Sequence, residues 1–178
     1  MLRIGTPAPG LDLLDADMER MSLDDLRDRS HLVAYFYPKD DTPGCTIEAI
    51  DFSELLDEFE RHRCTVVGIS RDDCDSHAKF RDKHGLAVRL LCDTDGEVCR
   101  AYGVLQTRTV DGQPRETILR STFVIDRCGI VRHALYGVSP RGHAREVLAL
   151  VRQLKRESAQ ARIGHRTRLN PPESGRIP

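Results

Sequence analysis

The segment Pro38-Lys39-Asp40-Asp41-Thr42-Pro43-Gly44-Cys45 follows the apolar run Leu32-Val33-Ala34-Tyr35-Phe36-Tyr37 and opens an amphipathic helix. A cysteine in the first turn of a helix meets unpaired backbone N–H groups and the positive end of the helix dipole. Both favour thiolate over thiol. Thr42 stands three residues before it, and its hydroxyl can cap the helix and reach the sulfur. The chemistry predicted is nucleophilic, with Cys45 as the nucleophile.

The elements that must position this cysteine follow from periodicity. Residues 5–14 read as extended chain with a turn at Asp15-Ala16-Asp17, and Ser22-x-x-Asp25 signals a short helix with Ser22 as cap. Residues 32–37 form a buried strand. Ala49, Phe52, Leu55, Leu56 and Phe59 then recur at spacings of three and four, so one stripe of the Cys45 helix faces the core. A second buried strand covers 65–70, a helix 75–84 ends at Gly85, and a third strand covers 88–92. Thr94-x-x-Glu97 predicts a capping box for a short helix holding Cys99 and Tyr102. A polar loop surrounds Asp111-Gly112 and Pro114, and strands near 120–126 and 130–136 make a hairpin around Asp126-Arg127-Cys128-Gly129. Ser139-Pro140 starts a last helix with the stripe Ala144, Val147, Leu148, Val151 and Leu154. The stripe is lost beyond about 158, which divides a domain, 1–157, from a mobile, mildly basic tail, 158–178. The order predicts an α/β mixed sheet with three parallel strands, whose following loops share one edge. Cys45, Cys74 and Cys92 lie near it.

Composition restricts the remaining possibilities. A formal net charge of −1 argues against nucleic acid or an anionic membrane as an obligatory partner. No secretion signal or run of membrane-spanning length is visible, so a cytoplasmic location is expected. The six cysteines contain no C-x-x-C pair, which disfavours zinc and leaves redox chemistry for one or two of them. No metal or cofactor is expected. Cys64 and Cys128 read as inert, His77 and His84 as solvated on a polar helix face, and Asp40 and Asp41 as loop caps. The arginines at 162, 166, 168 and 176 read as solvated rather than as an anion-binding arm.

The stretch Phe36-Tyr37-Pro38-Lys39-Asp40-Asp41-Thr42-Pro43-Gly44-Cys45-Thr46 with Glu48-Ala49 resembles the active-site segment of peroxiredoxins, in particular the bacterioferritin comigratory protein or peroxiredoxin Q branch. Ala8-Pro9, Gly68-Ile69-Ser70-Arg71-Asp72, Asp95-Gly96-Glu97 to Tyr102-Gly103-Val104, and Arg120-Ser121-Thr122-Phe123-Val124-Ile125-Asp126 match in the right order, across about 4–154. The resemblance implies a thioredoxin-like fold and reduction of hydrogen peroxide or organic hydroperoxides. It implies Cys45 as peroxidatic cysteine, Thr42 as the hydroxyl bonded to its sulfur, Pro38 as a shield of the pocket and Arg120 as the cation beside the thiolate. Thioredoxin or a low-molecular-weight thiol would recycle the sulfenic acid, in a monomer or homodimer.

Both positions where this branch commonly carries a resolving cysteine are empty: one is Ile50, the other Arg81. Three readings stay open. The protein is a one-cysteine enzyme; or Cys74 resolves, after local unwinding closes the two helical turns, roughly 10 Å, that separate it from position 81; or Cys92, Cys99 or an intermolecular disulfide does so. A thiol–disulfide oxidoreductase is disfavoured because Cys45 has no partner three residues away. A redox-sensing or binding protein that passes its oxidation to a partner remains the alternative function.

Overall fold

The computed structural model describes residues 1–26, 29–110 and 112–169. Strands β1 (Asp12–Asp15) and β2 (Arg20–Ser22) form a hairpin before a single 3₁₀ turn, Asp24–Leu26. Ser22 and Asp25 exchange hydrogen bonds there as the capping box requires. Then come β3 (His31–Phe36), α1 (Pro43–Glu54), α2 (Leu56–Arg61), β4 (Cys64–Ser70), α3 (Cys74–His84), β5 (Arg89–Cys92) and α4 (Glu97–Ala101). They are followed by β6 (Leu105–Val110), β7 (Gln113–Ile118), β8 (Ser121–Ile125), β9 (Val131–Tyr136) and α5 (His143–Leu169).

Seven strands make one mixed sheet in the order β2-β1-β5-β4-β3-β8-β9. β3, β4 and β5 are parallel, and β8 runs antiparallel to β3. Every residue of β3 is buried because it sits between two cores. Val33 and Tyr35 point into the one built by α1, α2, α3 and α5. Leu32, Ala34 and Phe36 point into the other, closed by α4 and the N-terminal segment. No helix among the described residues is long and apolar enough to cross a membrane.

The structure revises several expectations. The Cys45 helix is two helices, broken at Leu55 (φ −100°, ψ 3°). Ser53 accounts for the break: its hydroxyl donates back to Ala49 O and accepts from the amides of Ala87 and Val88, pulling the last turn toward another loop. The polar loop is the ribbon β6–β7, illegible by period because most of β7 is exposed and polar on both faces; Asp111 of its expected turn lies outside the described residues. Thr94 caps nothing: the helix starts after Gly96, the Glu97 amide donates to Asp95, and Asp93 accepts from the amides of Val98 and Cys99. The last helix begins at His143 rather than Ser139, after Gly142 in the left-handed region (φ 74°). Its backbone continues to Leu169, past the expected boundary at 158, and residues 170–178 of the expected tail lie outside the described residues.

Candidate active site

Cys45 is the third residue of α1, and its side chain is buried. Proline at the first helical position has no N–H to lose, which leaves the amides of Gly44 and Cys45 as first-turn donors without an intrahelical acceptor. Arg120, in the two-residue connection between β7 and β8, donates from Nη2 to Cys45 Sγ at 3.1 Å. Its Nη1 donates to Glu48, one helical turn beyond Cys45 and fully buried. The guanidinium is thus a two-pronged bracket between sulfur and carboxylate. Gly44 lies beneath it: a Cβ at that position would sit in ordinary van der Waals contact, 3.5 Å from Arg120 Nη2 and 3.4 Å from Pro140 Cγ. Burial pushes the Glu48 carboxyl up to about 7, against the lowering effect of Arg120.

Thr42 occupies the N-cap position, but its hydroxyl makes neither the helix cap nor the expected bond to sulfur. It donates to Lys39 O at 3.1 Å, because the tight loop folds that carbonyl back over the side chain. Its lone pairs remain available to accept a proton donor. Pro38 is exposed and lines a cleft of 300 Å³ together with Arg120, Arg108, Leu119 and Val138. Arg120 therefore spans from the cleft to the buried sulfur.

Asp40 and Asp41 both have long-range partners, and this corrects their reading as loop caps. Asp40 is buried, accepting from Tyr37 Oη, Ser76 Oγ and His77 Nδ1 at 2.8 Å each, while its amide donates to Asp72 Oδ2 at 2.9 Å. Asp41 takes a left-handed conformation (φ 55°) and pairs with Lys83 and His84 at the far end of α3. Helix α3 thus holds the loop before Cys45 from both of its ends. His77 is fully buried, not solvated, and its Nε2 faces Leu91 O at 3.1 Å. Sequence reasoning missed this network because, Tyr37–Asp40 aside, its partners are 32 to 43 residues apart and no local pattern links them.

The other cysteines separate by environment. Burial pushes the Cys64 thiol up to about 12. Burial and a hydrogen bond with Asp93 push Cys99 up further. Neither is activated. Cys128 is exposed in its turn. Cys74, the candidate resolving cysteine, begins α3 and is bonded to Cys92 at the end of β5, with Cα atoms 5.6 Å apart. Cys45 is free. No group of three or more metal-ligating side chains occurs among the described residues.

Comparison with known proteins gives the family. Residues 4–134 match the AhpC/TSA family. The chain is 44% identical over 121 residues to peroxiredoxin Bcp of Xanthomonas campestris, covering 68% of this chain and 76% of that one. It is 35% identical over 153 residues to peroxiredoxin Bcp of Bacillus subtilis, covering 86% and 97%. A solved structure of the Xanthomonas campestris bacterioferritin comigratory protein, described for its alkyl peroxide reduction activity, superimposes with a TM-score of 0.77 at 38% identity, covering 82% and 92%.

Proposed function

The chain belongs to the AhpC/TSA family, on the Bcp and peroxiredoxin Q branch with its thioredoxin-like fold, and we propose that it is a thiol peroxidase in which Cys45 is the peroxidatic cysteine. The observation that carries this reading is the 3.1 Å contact between Arg120 Nη2 and Cys45 Sγ at the first turn of α1. Attack by the Cys45 thiolate on the nearer peroxide oxygen forms an S–O bond and breaks the O–O bond. Negative charge then builds on the leaving oxygen, where donors count for more than they do in the ground state. Arg120 and the amides of Gly44 and Cys45 are the donors in place. The Thr42 hydroxyl, with its proton committed to Lys39 O, serves as acceptor and orients the hydroperoxide O–H. Pro38 limits access of water at the cleft.

The products are an alcohol or water and a Cys45 sulfenic acid, which must be reduced before further oxidation. Hydrogen peroxide and organic hydroperoxides are the proposed substrates. Thioredoxin or a low-molecular-weight thiol is the proposed reductant, and the proposed setting is a cytoplasmic monomer or homodimer. The test is rapid-mixing peroxide consumption with sulfenic-acid trapping. Wild-type protein should gain a trapped oxygen on Cys45, and Cys45→Ser should lose peroxide turnover. Turnover that survives Cys45→Ser would sink the assignment.

A further inference from the structure

We propose that Cys74 and Cys92 are a second redox centre, a dithiol that takes the oxidising equivalent from Cys45 and holds it as the disulfide on which an external dithiol acts. The proposal rests on the peroxidase reading of Cys45. It accounts for the two empty positions, Ile50 and Arg81, with a pair elsewhere on the same sheet edge.

Reach comes from the anchoring of Asp40. That residue bonds to Asp72 and Ser76, which stand two positions before and two after Cys74. The loop bearing Cys45 is therefore fastened directly against the turn bearing Cys74. Cys45 stands five positions after Asp40. If the first turn of α1 unwinds, that tether spans up to about 17 Å, which covers the Cys74 turn without releasing Asp40. Unwinding gives up the two Thr46 bonds to Thr42 O and the Cys45 contact with the main core, while Ala49 and Phe52 keep the rest of α1 packed and Thr42 has no side-chain cap to lose.

Direction comes from leaving groups. The Cys74 thiol gives up its proton and attacks the sulfur of the Cys45 sulfenic acid, forming a Cys45–Cys74 disulfide, and the expelled hydroxide takes that proton to leave as water. The Cys92 thiolate then attacks the Cys74 sulfur and expels Cys45 as thiolate. Thiol–disulfide exchange favours departure of the better-stabilised thiolate, and Cys45 has Arg120 and the helix N-terminus waiting for it. The outcome is the arrangement seen here: Cys45 free, Cys74 bonded to Cys92. Cys74 is half-buried and Cys92 is the more enclosed sulfur, so an external dithiol attacks Cys74, and Cys92 leaves. The second thiol of the reductant then frees Cys74, and the reductant ends as a disulfide.

The test starts from fully reduced protein given one equivalent of hydrogen peroxide, with disulfides and trapped sulfenic acid mapped by mass spectrometry over time. Wild type should end with a Cys74–Cys92 disulfide and a Cys45 thiol. Cys92→Ser should stop at a Cys45–Cys74 disulfide. In Cys45→Ser, the Cys74–Cys92 bond should form slower by about 100-fold or more, because neither sulfur has the donors that Cys45 has. Equal rates in wild type and Cys45→Ser would overturn the relay. So would a persistent Cys45 sulfenic acid in wild type beside intact Cys74 and Cys92 thiols, an outcome that leaves the peroxidase reading standing. A Cys45 that takes no oxygen even in the Cys74→Ser, Cys92→Ser double variant would overturn both.

Discussion

Asp40 and His77 lie 37 residues apart in sequence and share a 2.8 Å hydrogen bond that is closed to solvent. Through it the loop that ends in the nucleophile is held to the helix that follows the neighbouring strand. The catalytic geometry thus depends on a pair that touches no reacting atom.

Removing that pair should be costly. Asp40→Ala leaves the donors of Tyr37, Ser76 and His77 without their acceptor in a buried site. A loss of about 3 kcal/mol is expected, read as a lower denaturant midpoint at unchanged slope. An unshifted midpoint would mean that water or a neighbour satisfies all three donors.

Arg120 grips two acceptors with separate nitrogens, which a lysine ammonium cannot reproduce in the same plane. Arg120→Lys should lower the second-order rate constant for hydrogen peroxide by roughly 10²–10³-fold, measured by stopped flow. An unchanged constant would remove the guanidinium from the chemistry.

Glu48 ties stability to pH. Burial raises its folded-state value to about 7 from an ordinary 4.5, so between those values the native protein holds a proton that the unfolded chain has released. Stability from this group is full below about pH 4.5 and lost as pH rises through 7, by an amount on the order of 3 kcal/mol. Urea titrations of Glu48→Gln across that window should lack this downward component, although the variant leaves Arg120 without its carboxylate. Parallel pH profiles in the two proteins would contradict the assignment.

Gly68 is required by its neighbour. A Cβ there would lie 2.5 Å from Tyr35 Oη and 2.9 Å from Leu90 Cδ2. Tyr35 cannot retreat, because its ring stacks on Phe52 of α1 with centroids 4.5 Å apart. Gly68→Ala should cost about 2–3 kcal/mol in chemical denaturation.

What could be read from the sequence was local. The buried strand, the helix that carries Cys45 and the Ser22–Asp25 box are written in adjacent residues, and so they were legible. Arg120 was legible through its Arg-Ser-Thr-Phe neighbourhood, although nothing in that stretch indicates that Glu48 takes its second nitrogen. The Asp40–His77 pair and the Cys74–Cys92 bond join chain segments through the sheet topology, which spacing does not encode. Local signals also misled where a better partner stood nearby. Thr94 has the spacing of a cap, yet the Glu97 amide it would take donates to Asp95, and Asp93 takes the next two amides. Ser139-Pro140 has the form of a helix start, but Pro140 packs over Gly44 beside the site.

The two cores on either side of β3 also sort the thiols. Cys45 and Cys64 belong to one compartment and Cys99 to the other, with the hydrogen-bonded sheet as the wall between them. An oxidised Cys45 and Cys99 can meet only if that wall is breached, which takes unfolding rather than a loop motion. The sheet therefore acts as a chemical partition between Cys45 and Cys99.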